Sequence, residues 1–104
     1  MEAKIWTYSA WIDEIDPDKL KELFEKSLLD AGFELCGYVD HQFQPVGYTG
    51  TWVLAESHFS FHTFPEKECC YFELASCNVD KYDKFKEVQL RPDIQGVKEV
   101  LSQP

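Results

Sequence analysis

The segment Leu54-Ala55-Glu56-Ser57-His58-Phe59-Ser60-Phe61-His62-Thr63-Phe64-Pro65-Glu66 puts a serine hydroxyl directly after a carboxylate, with two imidazoles, a proline and a second carboxylate, into one short run that otherwise reads as β-structure. Between the strand ending near Glu56 and the strand starting near His58 no glycine, proline or asparagine eases a reversal. A turn here holds the Glu56-Ser57 peptide in a conformation its residues do not favour, with strain on the order of 1–3 kcal/mol. The Ser57 hydroxyl can then attack the carbonyl of Glu56 and convert the amide into an ester. Opening that ester by elimination needs a base, and His62 on a rigid strand, with the near-neutral pKa usual for histidine, is the candidate.

Plainer readings stand beside this one. A serine next to a histidine in a strand commonly has only a structural role. His58 and His62 fall on the same strand face and could share a metal with Glu66 or His41, although the helical H-E-x-x-H spacing and any C-x-x-C are missing, so no metal is assigned. A serine-hydrolase reading lacks the G-x-S-x-G elbow and an evident orienting acid.

The elements that must position these groups follow from periodicity. Ile5 to Ile12 reads as a strand with aromatics on both faces. Asp16-Pro17 starts a helix whose stripe is Leu20, Leu23, Phe24, Leu28 and Ala31, and Gly32 ends it. Strands follow at about Phe33 to Gln44 and at Thr51 to Ala55, separated by Pro45 and a turn at Gly47-Tyr48-Thr49-Gly50. His58 to His62 alternates with period two, Pro65-Glu66-Lys67-Glu68 turns, and Cys70, Phe72 and Leu74 alternate in a strand reaching Ser76. Asn78 caps a helix through Val79 to about Val88, and Asp93 to Leu101 reads as one more short helix.

This order predicts an α+β fold, an antiparallel sheet with helices packed on one face, as a single domain over residues 1–104. Bulky groups such as Trp6 or Trp11, Trp52 and Phe59 are expected on the other face, which a homodimer would bury, giving a two-layer α/β sandwich per protomer.

Composition narrows the partners. Ten basic against nineteen acidic residues give a formal charge of −9, which opposes binding to nucleic acid or an anionic membrane and weakly attracts a cationic small molecule. Hydrophobic residues at 44%, with 15% aromatic, argue for a packed core. Met1-Glu2-Ala3-Lys4 does not open a signal peptide and no segment approaches a membrane span, so a soluble, cytoplasmic protein is expected. Cys36, Cys69, Cys70 and Cys77 are expected as reduced thiols.

The run Glu56 to Glu66 closely resembles the processing-site motif of the bacterial S-adenosylmethionine decarboxylases, E-S-H-[aliphatic]-[ST]-[aliphatic]-H-T-W-P-E, with Phe64 at the tryptophan position. The resemblance extends upstream through Phe43-Gln44-Pro45-Val46-Gly47-Tyr48-Thr49-Gly50 and downstream through Glu73-Leu74-Ala75-Ser76-Cys77-Asn78. It implies a proenzyme that cuts itself between residues 56 and 57 and turns Ser57 into a covalent pyruvoyl cofactor, whose carbonyls hold the substrate amine and accept electrons as carbon dioxide leaves. By the same resemblance, His62 assists processing and Thr49 stands where a processing serine is usual. Cys77 would be the proton donor to the substrate α-carbon, Glu66 the carboxylate on the ribose hydroxyls, and Phe43 the aromatic that stacks on adenine.

The function expected is therefore a pyruvoyl-dependent S-adenosylmethionine decarboxylase supplying the aminopropyl donor for spermidine synthesis. The alternatives are a pyruvoyl-dependent decarboxylase of ornithine or arginine, or an unprocessed homologue that binds a ligand or partner without catalysis.

Overall fold

A computed structural model describes residues 3–89 and 98–99. Its elements are β1 (Trp6–Ile12), α1 (Pro17–Asp30), β2 (Leu35–Gln42), β3 (Tyr48–Leu54), β4 (Ser57–Phe64), β5 (Cys69–Ser76), α2 (Val79–Gln89) and β6 (Lys98–Glu99), with a 3-10 turn at Pro65–Lys67. The strands form one six-stranded sheet in the order β2-β3-β4-β5-β1-β6, every neighbouring pair antiparallel. The α+β expectation and the meander from β2 to β5 hold.

Helix α1 starts where its cap dictates: the Asp16 side chain accepts from the backbone N–H groups of Asp18 and Lys19, and Pro17 needs no N–H in the first turn. It ends where Gly32 enters the left-handed region at φ 94°, a conformation glycine adopts without a Cβ clash. Its buried stripe of Leu20, Phe24 and Leu28 lies on the sheet, and Phe24 meets Phe59, Phe61 and Phe72 at ring separations of 4.8, 5.2 and 5.0 Å. Phe85 of α2 joins the same core against Tyr8, Phe59 and Phe72. Both helices thus cover one face.

The pleat divides β4 between the two faces. Phe59, Phe61 and Thr63 are buried under the helices, while His58, Ser60, His62 and Phe64 point to the uncovered side. Register carries this across the sheet, so that His41, Thr49, His62, Tyr71 and Trp11 form one row on the open face. Gly50 sits beside this row on the helix side, where a Cβ would run into the Tyr38 hydroxyl and the Phe61 ring.

Several expectations need correction. Trp52 and Phe59 are not on the open face: they are 2% and 0% exposed in the helix-covered core, because their pairing across β3 and β4 puts both on the parity of Phe61. Trp6 shares the parity of Tyr8 and of the core, leaving Trp11 as the open-face tryptophan, packed on Phe64 and Tyr71. Tyr48, Thr49 and Gly50 belong to β3, since the reversal is completed by Gly47 at φ 111° and Tyr48 already pairs with Gln42. Within the helix expected over Asp93 to Leu101, Lys98 and Glu99 are strand paired to Trp11 and Ala10, sheet hydrogen bonds having won over an apolar spacing too short to hold a helix alone. The rest of that stretch lies outside the described residues.

All four cysteines are free thiols. Among the described residues no helix is long and apolar enough to cross a membrane. Truncating the ring at the centre of the core, Phe24→Ala, is expected to lower unfolding free energy by about 3–5 kcal/mol, read as a lower midpoint in urea denaturation. Gly50→Ala, which forces Tyr38 or Phe61 to move, is expected to cost about 1–3 kcal/mol in the same measurement.

Candidate active site

Leu54 of β3 pairs with Ser57 of β4, so the two strands are joined by Ala55 and Glu56 alone. Such tight hairpins call for a positive φ within the turn, which asparagine or glycine usually supplies. Here Glu56 takes it, at φ 62°. The left-handed conformation of a non-glycine residue costs about 1–2 kcal/mol, so the unfavourable turn expected at Glu56-Ser57 is present.

The end of β5 closes over this turn. Ser57 lies opposite Ser76, and the Cys77 backbone N–H donates to the Glu56 carbonyl at 3.2 Å. A hydrogen bond there draws electron density from the carbonyl carbon and makes it a better electrophile. The Ser57 hydroxyl, half-buried, donates to the Ser76 hydroxyl at 2.7 Å. Cys77 itself is exposed, just ahead of α2, whose first turn is capped by the Asn78 side chain accepting from the Lys81 N–H at 3.1 Å. Glu56, Ser57 and Cys77 therefore meet at one end of β4.

A second group gathers at the other end. Phe43, Val46, Gly47, Thr49, His62, Thr63, Phe64 and Glu66 line an open cleft of about 410 Å³. The loop that carries Phe43 is held by the Phe43 N–H donating to the Gly47 carbonyl at 2.7 Å, and is tied to β4 where the Tyr48 N–H donates to Thr63 Oγ1 at 2.9 Å. Phe43 is 48% exposed and stands edge-on to His41, offering an aromatic surface to the cleft. Glu66 is exposed in the 3-10 turn, which ends at Glu68 in the left-handed region.

Thr49 Oγ1 and His62 Nδ1 are 2.8 Å apart, the tautomer of the ring deciding which donates. Partial burial pushes the His62 pKa below its ordinary value of 6.5, with the Glu73 carboxylate acting weakly the other way. The imidazole is thus neutral at pH 7 and able to accept a proton. Tyr71, beside it in the row, donates its hydroxyl to Glu73 at 2.9 Å. Cys70, by contrast, is buried, and desolvation pushes its thiol up to about 12, which makes it unreactive.

The structure therefore brings together Phe43, Thr49, His62 and Glu66, and separately Glu56, Ser57 and Cys77. It does not bring His62 to Ser57 within one chain: they lie on opposite faces of β4, roughly 16 Å apart along the strand by its usual rise per residue. Ser76 and Glu73 were not singled out from sequence, although the alternation of β5 places Ser76 on the parity of the core and Glu73 on that of the open face. Among the described residues no three His, Cys, Asp or Glu side chains gather as a metal site.

The pattern that defines the S-adenosylmethionine decarboxylase family matches residues 12–100. A protein of Pyrococcus furiosus named S-adenosylmethionine decarboxylase proenzyme is 34% identical over 73 residues, covering 70% of this chain and 52% of that protein. One of the same name from Methanococcus maripaludis is 39% identical over 77 residues, covering 66% of this chain and 63% of that one. The match thus spans between about half and just under two thirds of the length of these relatives. The adenosylmethionine decarboxylase of Aquifex aeolicus superposes over 100% of this chain and 98% of its own with a TM-score of 0.67, and at 21% identity the likeness is one of fold. Since archaeal proteins stand among the relatives, the match supports the family without singling out a bacterial branch of it. By the extent of the family match, covering the hairpin, the cleft and both helices, this chain belongs to the S-adenosylmethionine decarboxylase family.

Proposed function

We propose that the chain is a self-processing, pyruvoyl-dependent S-adenosylmethionine decarboxylase of the cytoplasm that supplies decarboxylated substrate for spermidine synthesis. The observation that carries this reading is the turn at Glu56-Ser57: a left-handed Glu56, its carbonyl held by the Cys77 N–H, and a serine hydroxyl next to it. The word proenzyme in the relatives' names agrees with it. In the first step Ser57 Oγ bonds to the Glu56 carbonyl carbon and the peptide C–N bond opens, leaving an ester and a free amine. Loss of the Ser57 α-proton to a base then expels the Glu56 carboxylate. Hydrolysis of the resulting dehydroalanine releases ammonia and leaves the pyruvoyl group at the start of β4.

The residues around that position fit such a group. It would head a strand whose register is held by β3 and β5, with Cys77 adjacent. When formed, it supplies an electron-withdrawing carbonyl that takes up the electrons released as carbon dioxide departs. Cys77 is exposed, free to give a proton to the substrate α-carbon. Phe43 offers a face for the adenine beside the sulfonium charge, and Glu66 a carboxylate for the ribose hydroxyls.

Because the base and the substrate cleft stand at the far end of β4 from Ser57, one chain holds two half-sites. A homodimer that packs the open faces about a two-fold axis, with the β4 strands antiparallel, lays the backbone at the Ser57 end of one chain near the His62 end of the other, the Ser57 side chain keeping to the helix side of its own sheet. Val39 and Val53, 65% and 55% exposed on that face, would be buried by the same contact.

Intact mass of the purified protein is expected to show chains 1–56 and 57–104, the second carrying a reducible carbonyl. Ser57→Ala is expected to stay whole, and an uncut wild-type chain would remove the enzyme reading. Co-expressed Ser57→Ala and His62→Ala chains are expected to restore cleavage, and only of the His62→Ala chain; no cleavage in the mixture, with each wild-type chain cutting normally, would place the site within one protomer. As a base with its pKa below 6.5, His62 works in its neutral form, so cleavage is expected to be flat above about pH 6.5 and to fall roughly tenfold per pH unit below the His62 pKa. Stopped time courses from pH 5 to 8 on gels measure it. Carbon dioxide release from S-adenosylmethionine, ornithine and arginine then names the substrate.

A further inference from the structure

Resting on the reading of Ser57 as the processing nucleophile, we infer that Ser76 is the positioning residue that orients the Ser57 hydroxyl for the first step of self-cleavage. Ser76 is 1% exposed, and the one proton of its hydroxyl is committed. It donates to the Asn78 carbonyl at 3.3 Å and accepts from the Asn78 N–H at 3.0 Å, which leaves one lone pair. The Ser57 hydroxyl donates into that lone pair at 2.7 Å.

With its own proton spoken for, Ser76 can only accept from Ser57, and the direction of the bond is set. The Ser57 O–H therefore points across to β5, and the Ser57 oxygen keeps its lone pairs for the neighbouring Glu56 carbonyl carbon. That carbonyl accepts from the N–H of Cys77, the residue after Ser76. One short segment of β5 and its exit thus carries both the acceptor for the nucleophile's proton and the donor to the electrophile's oxygen. His62, on the opposite face of the same strand, is out of reach of Ser57 within the chain, so the later α-proton is left to the His62 of a second chain.

The step balances without any outside reagent. The Ser57 Oγ–carbon bond forms, the Glu56–Ser57 C–N bond breaks, and the hydroxyl proton ends on the Ser57 nitrogen, which becomes the amine. Electron density on the former carbonyl oxygen is held by the Cys77 N–H while the tetrahedral carbon exists.

The test is a set of Ser76 variants of the full chain, followed by gel and mass time courses of cleavage with and without hydroxylamine. Thr and Val at position 76 have nearly the same shape and differ in the hydroxyl, so Ser76→Thr is expected to cut within a few-fold of the wild-type rate. Ser76→Val and Ser76→Ala are expected to slow on the order of 100-fold, the usual cost of a misplaced reacting group. Because the block precedes the ester, hydroxylamine, which cleaves esters, is expected not to release the two fragments from the slow variants, whereas it should release them from His62→Ala. Equal rates for Thr and Val, a wild-type rate for Ala, or hydroxylamine release from the slow variants would each overturn the role of Ser76. A wild-type chain that is never cut would instead bring down the self-processing reading on which it rests.

Discussion

Strand β4 runs between β3 and β5 in the body of the sheet, so the two-residue period of its pleat sets what every neighbour can do. On one side it sends Phe59 and Phe61 under α1, where the Phe24 ring closes the core; on the other it sends His58, Ser60 and His62 to an uncovered surface. A shift of one residue in register would exchange these two sets and put imidazoles into an aromatic core. The packing of Phe24 against three rings of β4 and β5 therefore holds the register. It also fixes the direction in which each candidate functional group points.

The ends of β4 carry different chemistry for the same reason. At its start the hairpin is so short that Glu56 is forced into the left-handed region, and the exit of β5 supplies a backbone donor and a hydroxyl at that point. At its end the strand runs into Pro65 and a 3-10 turn, beside a loop closed by Gly47, and these walls make the cleft around His62 and Glu66. Stability and chemistry are thus coupled through backbone geometry. The strain at Glu56 can persist because the ladders on both sides of β4 over-determine it.

Much of the fold was legible in local pattern. Asp16-Pro17 and Gly32 bounded α1 correctly because a cap acceptor, a proline in the first turn and a left-handed glycine act within a few residues. The alternation from Phe59 to His62 named a strand because pleating needs no distant information. Failures came where distant contacts decide. Trp52 and Phe59 looked available for the open face until register placed both under α1, and Lys98-Glu99 looked helical until β1 offered an unpaired edge. Tyr48 to Gly50 looked like a turn because the glycines were read without their neighbours, although only Gly47 has a positive φ there and Gly50 is a strand residue with no room for a side chain.

The candidate site divides along the same line. The amino-acid sequence by itself determined which groups are present and which peptide is unusual: a carboxylate before a serine at a reversal without turn residues, a histidine of strand parity, a thiol ahead of a helix cap. These are matters of residue type and short-range geometry. Only the tertiary structure decided that the Cys77 N–H and the Ser76 hydroxyl meet Glu56 and Ser57, and that Thr49 meets His62 while His62 stays far from Ser57. Each of these contacts joins different strands, and the register between strands depends on how the whole aromatic core packs.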